Sequence, residues 1–334
     1  MSGCSGRWRG RRKPGPCELT GPVADQPVRP RTPPGVGTPL RADGHPGQRH
    51  PSSHTGQIGG NRMNEVNLNT WEDFESRLKE LTQNHTAQKQ KALTHVSGIL
   101  FRGHSNHTWQ LTTSLERYKA RRFSIDEYYR IISAVKPQIE TLTNMRWDIP
   151  TPPDFSKLMA QRIPFLIGGL PGYEYMVHLR HHGFPSPLLD WTRSPYVAAF
   201  FAFDGAKDHT KIVSIFAYQE YAGMGKSGSS GEPAISSLGP YIRSHRRHYL
   251  QQSEYTVCTV KEGDVGYYEC HESAFGGSVT VQDLLWKFNL PASERAKVLR
   301  ALDAHNLNAF SLFGSTESLM KTLALREIDF STEE

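Results

Sequence analysis

Two runs of strand length carry apolar residues straight into a polar corner, and no other feature of this chain constrains its fold as much. The first, Val96-Ser97-Gly98-Ile99-Leu100-Phe101, ends in Arg102-Gly103-His104-Ser105-Asn106. The second, Pro187-Leu188-Leu189, follows a helix-ending His182-Gly183 and ends in Asp190-Trp191-Thr192. A cation, a carboxylate and hydroxyls cannot remain unpaired in a core, so the two corners are expected to meet at one rim of a sheet. Convergent polar groups of this kind, set against an apolar scaffold, are how small-molecule sites are built.

The 334 residues are enough for one large domain or two ordinary ones. The formal charge of +6 is unevenly spread: ten of the 39 Lys/Arg but only three of the 33 Asp/Glu precede Met63. The remainder is close to neutral, so the basic balance carries no argument that the folded part binds nucleic acid. Residues 1–62 are rich in Pro, Gly and Arg, lack an aliphatic pattern, and read as a disordered basic extension without a secretory signal. The four cysteines include no Cys-x-x-Cys pair, which speaks against a zinc site or a disulfide framework. No apolar run approaches the roughly 18 residues that would span a bilayer. The expectation is a cytoplasmic protein with no metal and no membrane partner.

Periodicity predicts helices over 71–83, 124–136, 173–182 and 195–204, and strands over 96–102, 186–191, 211–218 and 255–260. Pro137 should end or kink the second helix. From Val281 to Ile328 the pattern reads as short helices, 293–304 and 315–325, flanking Phe310-Ser311-Leu312-Phe313. The expected fold class is α+β: a single mixed domain over 64–330, with a central sheet flanked by helices and a C-terminal helical extension. Gly225-Lys226-Ser227 is not a phosphate loop, because Glu220 stands where that loop needs its first glycine. The spacing of His181, His182, His245, His248 and His271 fits no familiar metal site.

The motif residues resemble the FRG family, which takes its letters from Phe-Arg-Gly. They are Phe101-Arg102-Gly103-His104-Ser105-Asn106 with Trp109, Leu111, Ser114, Leu115 and Arg117, then His182-Gly183-Phe184-Pro185 with Leu188-Leu189-Asp190-Trp191-Thr192 and Ser194-Pro195. Gln251-Gln252 ahead of Tyr255-Thr256, and the Phe310–Phe313 element, extend the likeness over roughly residues 85–325. It departs at Ser186-Pro187, where the family tends to carry Thr-Arg.

A second resemblance concerns chemistry. Mono-ADP-ribosyltransferases use a strand-borne Arg or His, a polar Ser/Thr strand end, and a late Glu two residues after Gln or Glu. This chain offers Arg102, then Thr192 and Ser194, then Gln252-Ser253-Glu254, in that order. The resemblance implies an ADP-ribosyltransferase-like fold with NAD as co-substrate, Arg102 and Glu254 as the catalytic pair, and Arg102, Gly103, His104, Thr192 and Ser194 around the cofactor. Gln252 and Arg246 would meet the acceptor, implied to be guanine in a nucleotide or nucleic acid. Asp190 and Trp191 would shape the site. The competing reading is a non-catalytic module that binds a nucleotide or protein partner with the same surface.

Overall fold

The computed structural model describes residues 63–162, 166, 169–207, 209–226, 231–243, 245–275 and 282–331. The expectation for residues 1–62 lies outside them. Eight strands form one mixed sheet: β1 (Met63–Asn67), β2 (Ile99–His104), β3 (Leu189–Thr192), β4 (Ile212–Tyr221), β5 (Ala234–Ser237), β6 (Ser253–Glu262), β7 (Val265–Tyr268) and β8 (Gln282–Pro291). Their spatial order is β1-β8-β4-β2-β3-β6-β5, with β7 also paired to β6. Only β1 and β8 run parallel; the other neighbours are antiparallel. With its helices, this is the α+β class read from the sequence. Among the described residues, no helix is long and apolar enough to cross a membrane.

One face of the sheet is covered by the helices Trp71–Lys91, Pro195–Asp204 and Arg295–Ala304. The first opens with a capping box between Thr70 and Asp73 and buries Trp71, Phe74, Leu78 and Leu81. Pro195–Asp204 starts from Ser194, whose hydroxyl accepts from Val197 N, with Pro at its first turn. It is apolar nearly all round because it lies between the sheet, at Phe101 and Ile215, and Val298 and Leu299 of the third helix.

The opposite face encloses Leu100, Trp191, Phe216, Tyr218, Cys258 and Leu285. Here β5 is brought back against β4: Glu220 Oε2 accepts from Ser237 N at 3.0 Å, and Lys226 donates to the Ile235 carbonyl. Side chains thus satisfy the backbone groups of an edge strand and curl the sheet around this inner core. A further apolar layer joins the helices Ile125–Thr143, Pro152–Ala160 and Tyr173–His181 to Tyr255 and Val257 of β6.

Two expectations are corrected. Residues 282–291 are not part of a helical run but a strand lying between β1 and β4. Both its faces are covered, so the alternation that betrays a half-exposed strand is absent from its sequence. Pro137 does not end its helix, which continues to Thr143. The helix is anchored ahead of the proline by buried Tyr128, Tyr129 and Ile132, and that packing outweighs the backbone bond Pro removes. The eight predicted helices and strands near 71, 96, 124, 173, 186, 195, 211 and 255 are all present, 195–204 with its predicted ends and the others with shifted ones.

Candidate functional site

The three letters of the first motif have three separate structural reasons. Phe101 faces the helical layer and is 5 % exposed. Gly103 faces the same way, where an added Cβ would stand 1.9 Å from Ala198 O and 2.7 Å from Ala202 N. Only glycine lets the helix Pro195–Asp204 lie so close to β2. Arg102, between them, turns to the inner face with Leu100.

Arg102 meets the second motif as the sequence predicted. Its Nη1 donates to the Asp190 carbonyl at 2.6 Å, and its Nε donates to His104 Nε2 at 2.9 Å. The Asp190 carboxylate, however, belongs to Arg180, a residue the sequence reading missed. Arg180 Nε is 3.2 and 3.1 Å from the two carboxylate oxygens, and its Nη2 donates to Oδ2. Arg102 Nη1 lies 3.9 Å from that Oδ2. Burial favours a neutral Asp190, but the charge and hydrogen bonds of Arg180, with Arg102, outweigh it and hold the carboxyl below its ordinary value.

This division leaves Arg102 oriented but not used up. Two of its five N–H groups are committed, and the other three have no acceptor among the described residues. Its side chain is 17 % exposed. Burial lowers its pKa to about 10, so it remains a cation at neutral pH. His104 is 5 % exposed and brought down to about 3 by burial and by the charge of Arg102. Its neutral ring accepts from Arg102 at Nε2, so its proton sits on Nδ1, facing the Trp109 carbonyl at 3.3 Å.

Glu254 is the second residue of β6, opposite Trp191 of β3. Phe101 is opposite Thr192 across β2 and β3, so Arg102 and Glu254 lie on either side of Trp191, two strand spacings or about 10 Å apart along the sheet. Strand alternation turns both to the inner face, where Trp191 Nε1 donates to Thr256 Oγ1 at 2.8 Å. The Glu254 side chain is 13 % exposed, and Arg193 Nε stands 3.8 Å from it. Burial raises its carboxyl above the ordinary value, Arg193 opposes that, and the charge of Glu220 adds to the rise.

The remaining sequence candidates divide into committed and exposed groups. Thr192 is 4 % exposed; its hydroxyl donates to Gln251 O at 2.7 Å and accepts from Ser194 N at 3.1 Å. Ser194 caps a helix, and Gly103 is covered by the same helix. Gln252 is exposed, with φ of 49°, and its carbonyl accepts from Arg193 N. Arg246 is exposed on the short helix Arg246–Leu250. Among the described residues, no three His, Cys, Asp or Glu side chains are placed to hold a metal ion.

Sequence reading also missed a buried charge cluster beside β5. Lys226 Nζ donates to Glu220 Oε1 at 3.1 Å and to Asp283 Oδ1 at 2.9 Å, and Tyr218 OH donates to the same Asp283 oxygen at 2.6 Å. The burial that disfavours the Lys226 ammonium is outweighed by these carboxylates, which raise its pKa. Nothing in the local sequence announced it, because its members are spread over residues 218–283.

The family model for the FRG domain matches residues 97–211, so the chain carries an FRG domain over that segment. The match takes in Arg102, Arg180, Asp190 and Trp191, whereas Lys226, Gln252 and Glu254 lie beyond it. Neither a curated protein nor a solved structure matches the chain.

Proposed function

We propose that this FRG-domain protein is an NAD-dependent mono-ADP-ribosyltransferase acting on guanine in a nucleotide or nucleic acid. The observation that carries the reading is the state of Arg102: a cation held in place by two hydrogen bonds, with three N–H groups left for a ligand. A forked guanidinium of this kind suits the paired phosphates of a dinucleotide. Glu254 supports the reading from the far side of Trp191, where its carboxylate would face positive charge developing on the ribose. In the transfer, the nicotinamide–ribose bond breaks with its electron pair leaving on nicotinamide. A guanine nitrogen then bonds to the ribose carbon and gives up its proton.

The groups with free capacity for ligand are Arg102, Glu254, Gln252 and Arg246. Thr192 and Ser194 would act by fixing the turn between β3 and the next helix. The test is incubation of the full chain with labelled NAD and a panel of guanine nucleotides, single-stranded DNA, RNA and protein acceptors. Label transferred to a guanine-bearing acceptor, with release of nicotinamide, is the expected result. Absence of NAD consumption with every acceptor would reject the reading and leave a binding module.

A further inference from the structure

Around the short helix Arg246–Leu250, cations and aromatic rings stand together at the surface. Tyr241 is 94 % and Tyr249 61 % exposed. Arg243 and Arg246 are exposed and make no ion pair or side-chain hydrogen bond among the described residues. Arg247 sets its guanidinium 5.5 Å from the centre of the Phe313 ring, and its buried Nε has no hydrogen-bond partner among the described residues. The folded part is near neutral as a whole, but this stretch of surface holds a local positive field. It runs to Glu254 through direct contacts. The Tyr249 hydroxyl donates to the Ile242 carbonyl at 2.7 Å, which seats the ring beside segment 241–243. The Tyr249 carbonyl accepts from Gln252 N at 3.1 Å, and the Gln252 carbonyl accepts from Arg193 N at 3.1 Å. Arg193 is itself exposed, with its Nε 3.8 Å from Glu254 Oε2.

We propose that this surface binds a single-stranded nucleic acid and leads a guanine of that strand to Glu254. The binding surface stands on its own exposed groups; delivery to Glu254 rests on the transferase reading. Arginines without carboxylate partners attract phosphates whatever the base sequence. The tyrosine rings offer faces on which unpaired bases stack, and bases held inside a duplex do not reach them. An acidic peptide satisfies the arginines but brings no flat base to the rings. A free nucleotide brings one base and occupies one position on a surface that continues from Tyr241 to Arg193. A single strand fits both the charge and the spacing of rings and cations along it.

Fluorescence anisotropy of labelled RNA and DNA single strands of about 12 nucleotides, with the full chain and no NAD, tests the surface. Single strands are expected to bind about fivefold or more tighter than the matching duplex, and polyglutamate of equal charge should compete poorly. RNA and DNA both satisfy the proposal, and the tighter binder names the substrate. Tyr241→Ala removes a ring that lies almost wholly in solvent, so the melting temperature should hold. Its affinity should fall about fivefold or more, the loss of one base–ring stack, while Tyr241→Phe binds as wild type. Arg243→Ala should weaken binding and flatten the slope of log K against log salt by about 0.7, one phosphate contact on a single strand. If the ten Lys/Arg before Met63 hold the strand instead, both alanine variants bind as wild type. That result, a preference for duplex, or full competition by polyglutamate would overturn the proposal. Single-strand binding without NAD turnover keeps the surface and removes the transferase; label transfer to GMP without single-strand binding does the reverse.

Discussion

At the scale of single residues, Gly103 and two buried histidines make the sharpest demands. A methyl group at Gly103 meets helix backbone, not the flexible end of a side chain, so the helix Pro195–Asp204 must move. Gly103→Ala should lower unfolding free energy by about 3 kcal/mol, the upper range for overpacking a core, as read from urea denaturation. A loss below half a kilocalorie would show that the close approach is dispensable.

His104 and His271 are both held near 3 by burial and by the charge of Arg102. His271 is fully buried, and its Nε2 faces the Thr256 hydroxyl at 2.9 Å. The unfolded chain binds protons to both rings below about pH 6.5, whereas the fold keeps them neutral down to about 3. Their contribution is complete above pH 6.5 and is lost as pH falls through that window, by up to about 1.4 kcal/mol per pH unit for each ring. Urea midpoints at pH 7, 6 and 5 should therefore fall steadily, with a shallower slope in His271→Gln. A flat profile would contradict the burial of neutral rings.

At the scale of elements, what was legible depended on whether one face met water. The helix Trp71–Lys91 announced itself because Trp71, Phe74, Leu78 and Leu81 are buried and the residues between them are exposed. The strand β8 did not, because Leu285 enters the inner core while Phe288 and Leu290 enter the helical one. The meeting of Arg102 with the Asp190 corner could be foreseen from two unpaired polar groups at strand ends. Arg180 could not, since nothing local distinguishes it from a cation on a solvated helix face. The Lys226 cluster depends on closure of the sheet, which sequence spacing does not encode.

Pro137 gives the element-scale prediction. It is exposed within a continuing helix, so Pro137→Ala restores a backbone donor where no side-chain contact is lost. The variant should be more stable by about 2 kcal/mol, less than the full helical penalty of proline because alanine also frees the unfolded chain. A destabilised variant would mean that the proline fixes a bend the surrounding packing requires.

At the scale of the whole molecule, two polar sites share the inner side of one curled sheet. Arg102, fixed by the Asp190 carbonyl, occupies one part, with the Asp190 carboxylate and Arg180 turned to the opposite face beside Tyr255; Glu220, Lys226 and Asp283 occupy the other. Glu254 is linked to the second by the charge of Glu220 and separated from the first by Trp191. If Glu254 must be ionised to act, its raised carboxyl sets the acid limit of activity: turnover should be lost, as pH falls, above the ordinary glutamate range.

Glu254→Gln most directly tests the claim that this sheet supports ADP-ribosyl transfer. Nicotinamide release from labelled NAD should fall by about 10²–10³, the loss expected for one preorganised electrostatic group, with NAD affinity largely retained. A Glu254→Gln protein that turns over NAD at the wild-type rate would contradict the account.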